Sequence, residues 1–501
     1  MQQDMKGLKA LFFSWITTLL STTSFVDTIL PNSVDGLQLG SPGAYFRSAI
    51  QLFRNNIGLA TAGEFSTRLQ WITDSNRFEE TRMKCPADFD FIDPAIQSNP
   101  MEFLEILRHQ APVYLEPRTG SYMVTRAKDI KYVAEHHELF TSYIDPSVFL
   151  VCQGLSLEEK DPEVAAIFKK KARLIPHTLL LTDPPVHLRY RRLALEALSP
   201  KAVKTLQPFI ERQVERFIAK FDAGATVDFV AEYCERVPLS IIIHFIGAPE
   251  ADVELINGWA HQFFSTEMGQ KPRAEYLKTV DAMCDMFNYV ERRIEAVQRQ
   301  RDGTLLDDLM HAHLQTGDEA LTIEELISIF HVFLVAGHDT TRQSLANGMR
   351  LLATQPELCA QLRVHPEHVG SFVEEVIRLY PPAVMTPRVA AVDSEIDGVA
   401  IPKGATVFLC WASANRDAEV FQDADQFKCP NEAGKDHYGF GHGAHFCVGN
   451  RLARATLATS FNAFLHRYRS ISLEIPESEL RYEPAINLRA LISLPIRCTL
   501  K

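Results

Sequence analysis

Phe440, Gly441, His442, Gly443, Ala444, His445, Phe446, Cys447, Val448, Gly449 is the stretch on which the reading of this chain turns. Three glycines within nine residues let the backbone pass close to something flat, and an apolar helical pattern begins just beyond, at Leu452. A thiol placed there meets the partial positive charge of a helix N-terminus, which favours thiolate over thiol. That is how a protein presents sulfur to a metal. Of the other cysteines, Cys85, Cys152 and Cys359 read equally well as small buried hydrophobes, and Cys410, in an apolar strand, reads best that way.

The run resembles the haem-ligand loop of the haem-thiolate monooxygenases, the cytochrome P-450 family. The bacterial signature Phe-Gly-x-Gly-x-His-x-Cys-x-Gly is filled here at every fixed position. The resemblance extends over roughly residues 85–501. It implies a mainly α fold with small β-sheets, built as one large domain crossed by a long central helix. It also implies haem b (iron protoporphyrin IX) as cofactor, with Cys447 as the axial iron ligand and Phe440 beside it in the cofactor site.

Bulk properties agree with a soluble globular enzyme: 46% of the 501 residues are hydrophobic and 23% charged. Acidic residues outnumber basic ones, 63 against 51, and no basic block offers a surface to nucleic acid. The nine cysteines show no Cys-x-x-Cys pair and no zinc-like spacing, which points to a reducing, cytoplasmic setting. Residues 1–84 carry no chemical motif and read as an N-terminal extension to a catalytic domain over 85–501. Within it Lys6 and Lys9 precede an uncharged stretch, 10–26, interrupted by seven hydroxyl residues and short of the ~20 apolar residues a spanning helix needs. Leu8, Leu11, Phe12, Trp15, Ile16 and Leu19 share one helical face, so an amphipathic helix over 8–20 is expected, packed on the body or lying on a membrane surface. Membrane contact is at most N-terminal. A cleaved signal peptide is the third reading, and the cysteine usage speaks against it.

Short strands are expected at 112–115 and 122–125 around a turn at Thr119 and Gly120. Helical periodicity dominates from Pro200 to about Leu465, broken by a β-rich patch at 384–408. Thr322 with Glu325 forms a capping box, after which Leu326, Ile329, Phe330, Phe333 and Leu334 run on towards Leu352, and Pro356 supplies the stop. Such a helix far exceeds the usual ~11 to 12 residues and crosses the domain. Near its middle stand Ala336, Gly337, His338, Asp339, Thr340 and Thr341, poor helix formers of the kind that mark function. Thr340 can bond the carbonyl of Ala336 and loosen the helix there. By the resemblance, Thr340 hydrogen-bonds dioxygen and holds water, and Asp339 relays protons from solvent. His338 points elsewhere and reads as structural or surface-linked, with a part in the proton path as the alternative.

The run Asp183 to Arg192 places His187 and Arg191 four apart on one helix face, with Pro184 and Pro185 at its start. Alone this is a solvated basic face. The resemblance makes His187 and Arg191 partners of the haem propionates, and puts Arg388 and His445 at matching positions. Glu375 and Arg378 match the Glu-x-x-Arg ion pair; Asn431 stands where an arginine usually completes it, and neither Asn431 nor Arg416 is assigned to that place. By the resemblance, substrate contacts come from 142–178, Phe333, Val335, Ala383 to Met385 and Pro484 to Asn487; these are mostly apolar and suit a hydrophobic small molecule. No flavin or iron–sulfur motif is present, so electrons come from a separate partner: by the resemblance a ferredoxin with its flavin reductase, or secondarily a diflavin reductase. The expected activity is insertion of one oxygen atom of dioxygen into the substrate, by hydroxylation or epoxidation. A haem-thiolate isomerase, dehydratase or peroxygenase, or a non-catalytic haem sensor, is the rival reading that Asp339 and Thr340 speak against.

Overall fold

The computed structural model describes residues 84–143, 161–259, 273–431 and 436–501, apart from 174 and 177. The helix expected over 8–20 lies outside them.

After α1 (Met101–Gln110), strands β1 (Val113–Leu115) and β2 (Tyr122–Val124) pair antiparallel, Val113 opposite Val124. The turn between them carries Gly120 at φ +68°, a conformation glycine adopts without steric cost. α2 (Ala127–Glu135) and β3 (Phe140–Thr141) follow. Then come α3 (Val186–Ala197) and α4 (Pro200–Ile218), the latter capped by Ser199, which accepts from the Ala202 N–H. β4 (Thr226–Asp228) leads through a π-helical turn, Val230–Cys234, into α5 (Arg236–Phe245). α6 (Arg273–Arg299), α7 (Ile323–Thr354) and α8 (Val369–Leu379) complete most of the helical body. β5 (Thr386–Ala390), β6 (Thr406–Leu409), α9 (Asn450–Arg467), β7 (Tyr468–Leu473) and β8 (Pro495–Leu500) finish the chain.

The two β-rich regions of the sequence meet in one sheet, in the order β1-β2-β6-β5-β3, while Ser394–Ile396 and Val399–Ile401 pair as a separate two-stranded hairpin. β2 and β6 run parallel, Tyr122 against Val407, so the early hairpin is completed by residues from the far end of the domain. β2 is buried at every position, as a central strand must be. A second sheet, β4-β8-β7, closes the other end.

α7 is 32 residues long and both halves of its capping box form: the Glu325 N–H donates to Thr322 Oγ1 at 3.2 Å, and the Thr322 N–H to Glu325 Oε2 at 2.9 Å. It stops where expected, because Pro356 opens the next helix. Its second half packs on α9 at Gly348, where a Cβ would stand 2.3 Å from Cζ of the buried Phe461 ring. α8 packs on α9 in turn through Phe372, whose ring meets Phe461 edge-on with centroids 5.1 Å apart. Of these, α8 meets the start of the Cys447 loop, where a Cβ on Gly439 would stand 2.5 Å from Cγ2 of Ile377, and α9 begins directly after the loop.

Candidate active site

The Cys447 loop closes through its own backbone: the Cys447 N–H donates to the Phe440 carbonyl at 2.9 Å. Gly441 and Gly443 lie at φ +73° and +74°. Gly443 is also pressed on α2, since a Cβ there would stand 2.7 Å from the Ala134 carbonyl oxygen. Its close approach is therefore to protein, and not to the flat partner that the glycine pattern suggested. α9 begins at once beyond, and the N–H groups of Gly449 and Asn450 address the sulfur. Burial nevertheless pushes the Cys447 thiol up, against the pull of those N–H groups and of Arg454 and Arg191. The helix start thus opposes burial without outweighing it; a metal bound at the sulfur would favour thiolate.

His187 and Arg191 from α3, Arg388 from β5 and His445 all face the cavity that Cys447 lines, about 430 Å³ in volume. The His187 and His445 rings lie 4.1 Å apart, and Ser142 Oγ meets His445 Nε2 at 2.9 Å. Arg191 donates to the Phe446 carbonyl at 2.7 Å, tying α3 to the cysteine loop. Burial first, and then the neighbouring cations, push His187 down to about 4 and His445 to about 2, and burial takes Arg388 to about 10. Asp183 is the carboxylate that opposes this, and it is already engaged by the Ser142 N–H at 2.9 Å and the Thr141 hydroxyl. His187 Nδ1 meets no partner among the described residues. Two arginines and two histidines crowded against one engaged carboxylate call for an anionic guest. A flat group carrying two carboxylates, with a thiolate-seeking metal at its centre, fits this donor set.

The opposite wall is α7. Thr340 Oγ1 donates to the Ala336 carbonyl at 2.6 Å, the bond anticipated from its spacing, and Ser344 repeats it on the Thr340 carbonyl at 2.9 Å. Asp339 is buried and lines the cavity; its Oδ1 accepts from Arg342 Nη1 at 2.9 Å. Arg342 Nε stands 3.6 Å from Glu235 of the π-helical turn's end. His338 is buried with Nε2 3.1 Å from the Glu235 carbonyl.

Glu375 and Arg378 form a buried, doubly bonded pair at 2.7 and 2.8 Å. Asn431, unassigned from sequence, donates its amide to Glu375 Oε2 at 2.9 Å, whereas Arg416 pairs with Asp425. A second network escaped the sequence altogether. Arg454 of α9 grips Glu374 at 2.6 and 2.9 Å, donates to Asn450 Oδ1 at 2.7 Å and lies 4.4 Å over the Phe440 ring. Asn450 in turn donates to the Cys447 carbonyl at 2.6 Å. Burial would raise Glu374, but His437 and Arg454 hold it down at about 2. Only the helical spacing of Asn450 and Arg454 hinted at this link.

Phe333, Val335, Ala383, Met385 and Asn487 line the cavity as expected, while Val384 turns into the core. Pro238, Ile241, Ile242 and Phe245 of α5 line it too, a contribution the sequence did not suggest.

Residues 256–489 match the family model described as Cytochrome P450. The chain is 32% identical over 384 residues to the mycinamicin IV hydroxylase/epoxidase of Micromonospora griseorubida, covering 75% of this chain and 89% of that relative. It is 28% identical to the biotin biosynthesis cytochrome P450 of Bacillus subtilis (strain 168), over 79% of this chain and 96% of that one. Among solved structures, P450BioI in complex with an acyl carrier protein ligated to hexadec-9Z-enoic acid superposes with a TM-score of 0.70 at 26% identity, over 81% of this chain and all of that one.

Proposed function

This chain belongs to the cytochrome P450 family and is a haem-thiolate monooxygenase, and we propose that it oxygenates an uncharged, largely apolar molecule bound between α7 and the Cys447 loop. It uses haem b and electrons from a separate redox partner, placing one oxygen atom of dioxygen in the organic substrate by hydroxylation or epoxidation. The observation that carries the reading is the convergence of Cys447, the four cation-capable side chains and the Ala336–Thr340 turn on one cavity.

When bound, the haem supplies the redox-active iron at which dioxygen is activated. Cys447 would hold that iron through sulfur, and His187, Arg191, Arg388 and His445 would hold the two propionates, with Ser142 fixing the His445 ring. Thr340 has its proton committed to Ala336, so its oxygen offers lone pairs to a water in the cavity. Asp339 keeps Oδ2 without a protein partner among the described residues, and this atom takes up and hands on protons. The apolar lining from α5, Phe333 and Val335 keeps bulk water from the reacting position.

Asp339, already paired with Arg342, is the charged group on the α7 wall, so a charged substrate finds no free counter-ion there. The P450BioI structure, which holds hexadec-9Z-enoic acid ligated to an acyl carrier protein, supports a long apolar chain as one such substrate. A ferredoxin with its flavin reductase is the proposed electron source. Carbon monoxide on the reduced holoprotein should give the red-shifted band of a thiolate-ligated haem, lost in Cys447→His. In a spectral titration, neutral hydrophobic compounds should bind at least tenfold more tightly than their carboxylate or ammonium analogues. Tight binding of charged analogues alone would reverse the substrate assignment, and a histidine-type band in active protein would reverse the ligand assignment.

A further inference from the structure

Asp339 Oδ1 is held by Arg342, a cation that does not release its proton, while Oδ2 meets no protein group among the described residues. The same pattern recurs along α7. Gln343, Asn347 and Arg350 are 0%, 1% and 8% exposed, and Gln343 Nε2, Asn347 Oδ1 and Arg350 Nε each lack a partner among the described residues. Positions 339, 343, 347 and 350 follow one another at spacings of four, four and three, which places them on a single helical stripe. Each four-residue step rises about 6 Å, the span that one water bridges with two hydrogen bonds of ~2.8 Å.

The segment 477–491 meets this stripe on either side of Asn347. Gln343 Oε1 accepts the Leu491 N–H at 2.7 Å, the charge of Glu483 acts on Arg342, and Glu477 pairs with Arg350 Nη1. The Glu477 side chain is 51% exposed. The stripe therefore runs from an acid that lines the cavity to an acid that meets solvent, through side chains that are otherwise buried. A buried polar atom left without a partner costs about 1 to 3 kcal/mol. Bound water is the ordinary remedy, each molecule satisfying about three such groups.

We propose that α7 and the segment 477–491 enclose a file of bound water, and that protons travel along it from the Glu477 mouth to Asp339 Oδ2. This rests on the reading of Asp339 as the group that hands on protons. Each turnover consumes dioxygen, two electrons from the redox partner and two protons. A proton enters at the mouth, each water accepts one and releases one, and Asp339 Oδ2 accepts one and passes one on. Gln343 and Asn347 gain and lose none; their amides hold the waters in line. Glu477 offsets the guanidinium of Arg350, so the mouth does not repel an incoming proton.

The test uses the haem-loaded full chain with its electron donors. Asn347→Leu keeps the branching at Cγ and cannot hydrogen-bond water, whereas Asn347→Ser offers a hydroxyl and leaves room for a water. In Asn347→Leu the share of electrons lost to peroxide should rise at least threefold and the solvent deuterium isotope effect should increase, with the carbon monoxide spectrum unchanged. Asn347→Ser should lie close to the unsubstituted protein. A crystal structure of the unsubstituted chain should show ordered water within hydrogen-bond distance of Gln343 Nε2 and Asn347 Oδ1, which decides the matter even where the leucine variant does not fold. A dry stripe overturns the proposal, as does an Asn347→Leu protein with unchanged coupling and isotope effect beside a Glu235→Gln protein that loses electrons to peroxide and shows the raised isotope effect. Asp339→Asn separates the two layers. If it uncouples and Asn347→Leu does not, the file alone falls; if neither does, the role of Asp339 falls with it.

Discussion

Glu375 has both carboxylate oxygens doubly engaged: Oε1 by Arg378 and the Lys428 N–H at 2.7 and 2.9 Å, Oε2 by Arg378 and the Asn431 amide at 2.8 and 2.9 Å. These bonds, chiefly the one from Arg378, hold its carboxyl below the usual range in spite of burial. The two side-chain partners differ in what their loss leaves behind. Arg378→Met strands a buried carboxylate and should cost about 3 to 5 kcal/mol. Asn431→Ala removes one neutral donor among four and should cost about 1 to 3 kcal/mol. Urea unfolding followed by circular dichroism ranks them; equal losses would mean that Glu375 is neutral in the native protein. The Glu375–Arg378 pair was legible because it repeats at helical spacing within four residues. Asn431 was not, because its contact spans 56 residues and one amide in a loop looks like any other. The Glu374–Arg454 link was hidden for the same reason, joining residues 80 apart on two helices.

At the scale of elements, α7 was the most legible part of the fold. Its start is written in the Thr322–Glu325 box and its end in Pro356, both local signals, and its length then dictates that it crosses the domain. What it packs against was not written. Gly348 reads as a weak helix position that alanine would improve by about 1 kcal/mol on propensity alone. The structure reverses that expectation, because the added methyl would meet the buried Phe461 ring at 2.3 Å and the ring has no free end to swing aside. Overpacking of this kind costs about 1 to 3 kcal/mol. Gly348→Ala should therefore lower the midpoint of thermal unfolding, and Gly348→Ser should do so as well. A midpoint raised by alanine would mean that α7 and α9 stand farther apart than described.

For the whole molecule, acid sensitivity is set by groups buried far from solvent. Burial pushes His331 down to about 4. Between its unfolded pKa, about 6.5, and that value, the unfolded chain binds a proton that the native chain does not, so stability falls as the pH drops through this window. His331 alone should account for about 2 kcal/mol of loss between pH 7 and pH 5. Glu374, held at about 2, adds a further loss only below about pH 4.5. Urea midpoints at pH 7 and pH 5 should converge in His331→Leu relative to the unsubstituted chain; an unchanged gap would assign the loss to other groups.

The parallel pairing of β2 with β6 has a consequence in time. Tyr122 leaves the ribosome 285 residues before its partner Val407. At ~5 to 20 residues per second the exposed edge of a fully apolar strand waits roughly 14 to 57 seconds for the segment that covers it. During synthesis the nascent chain thus carries an open β-edge that other chains can pair with until the far end of the domain arrives.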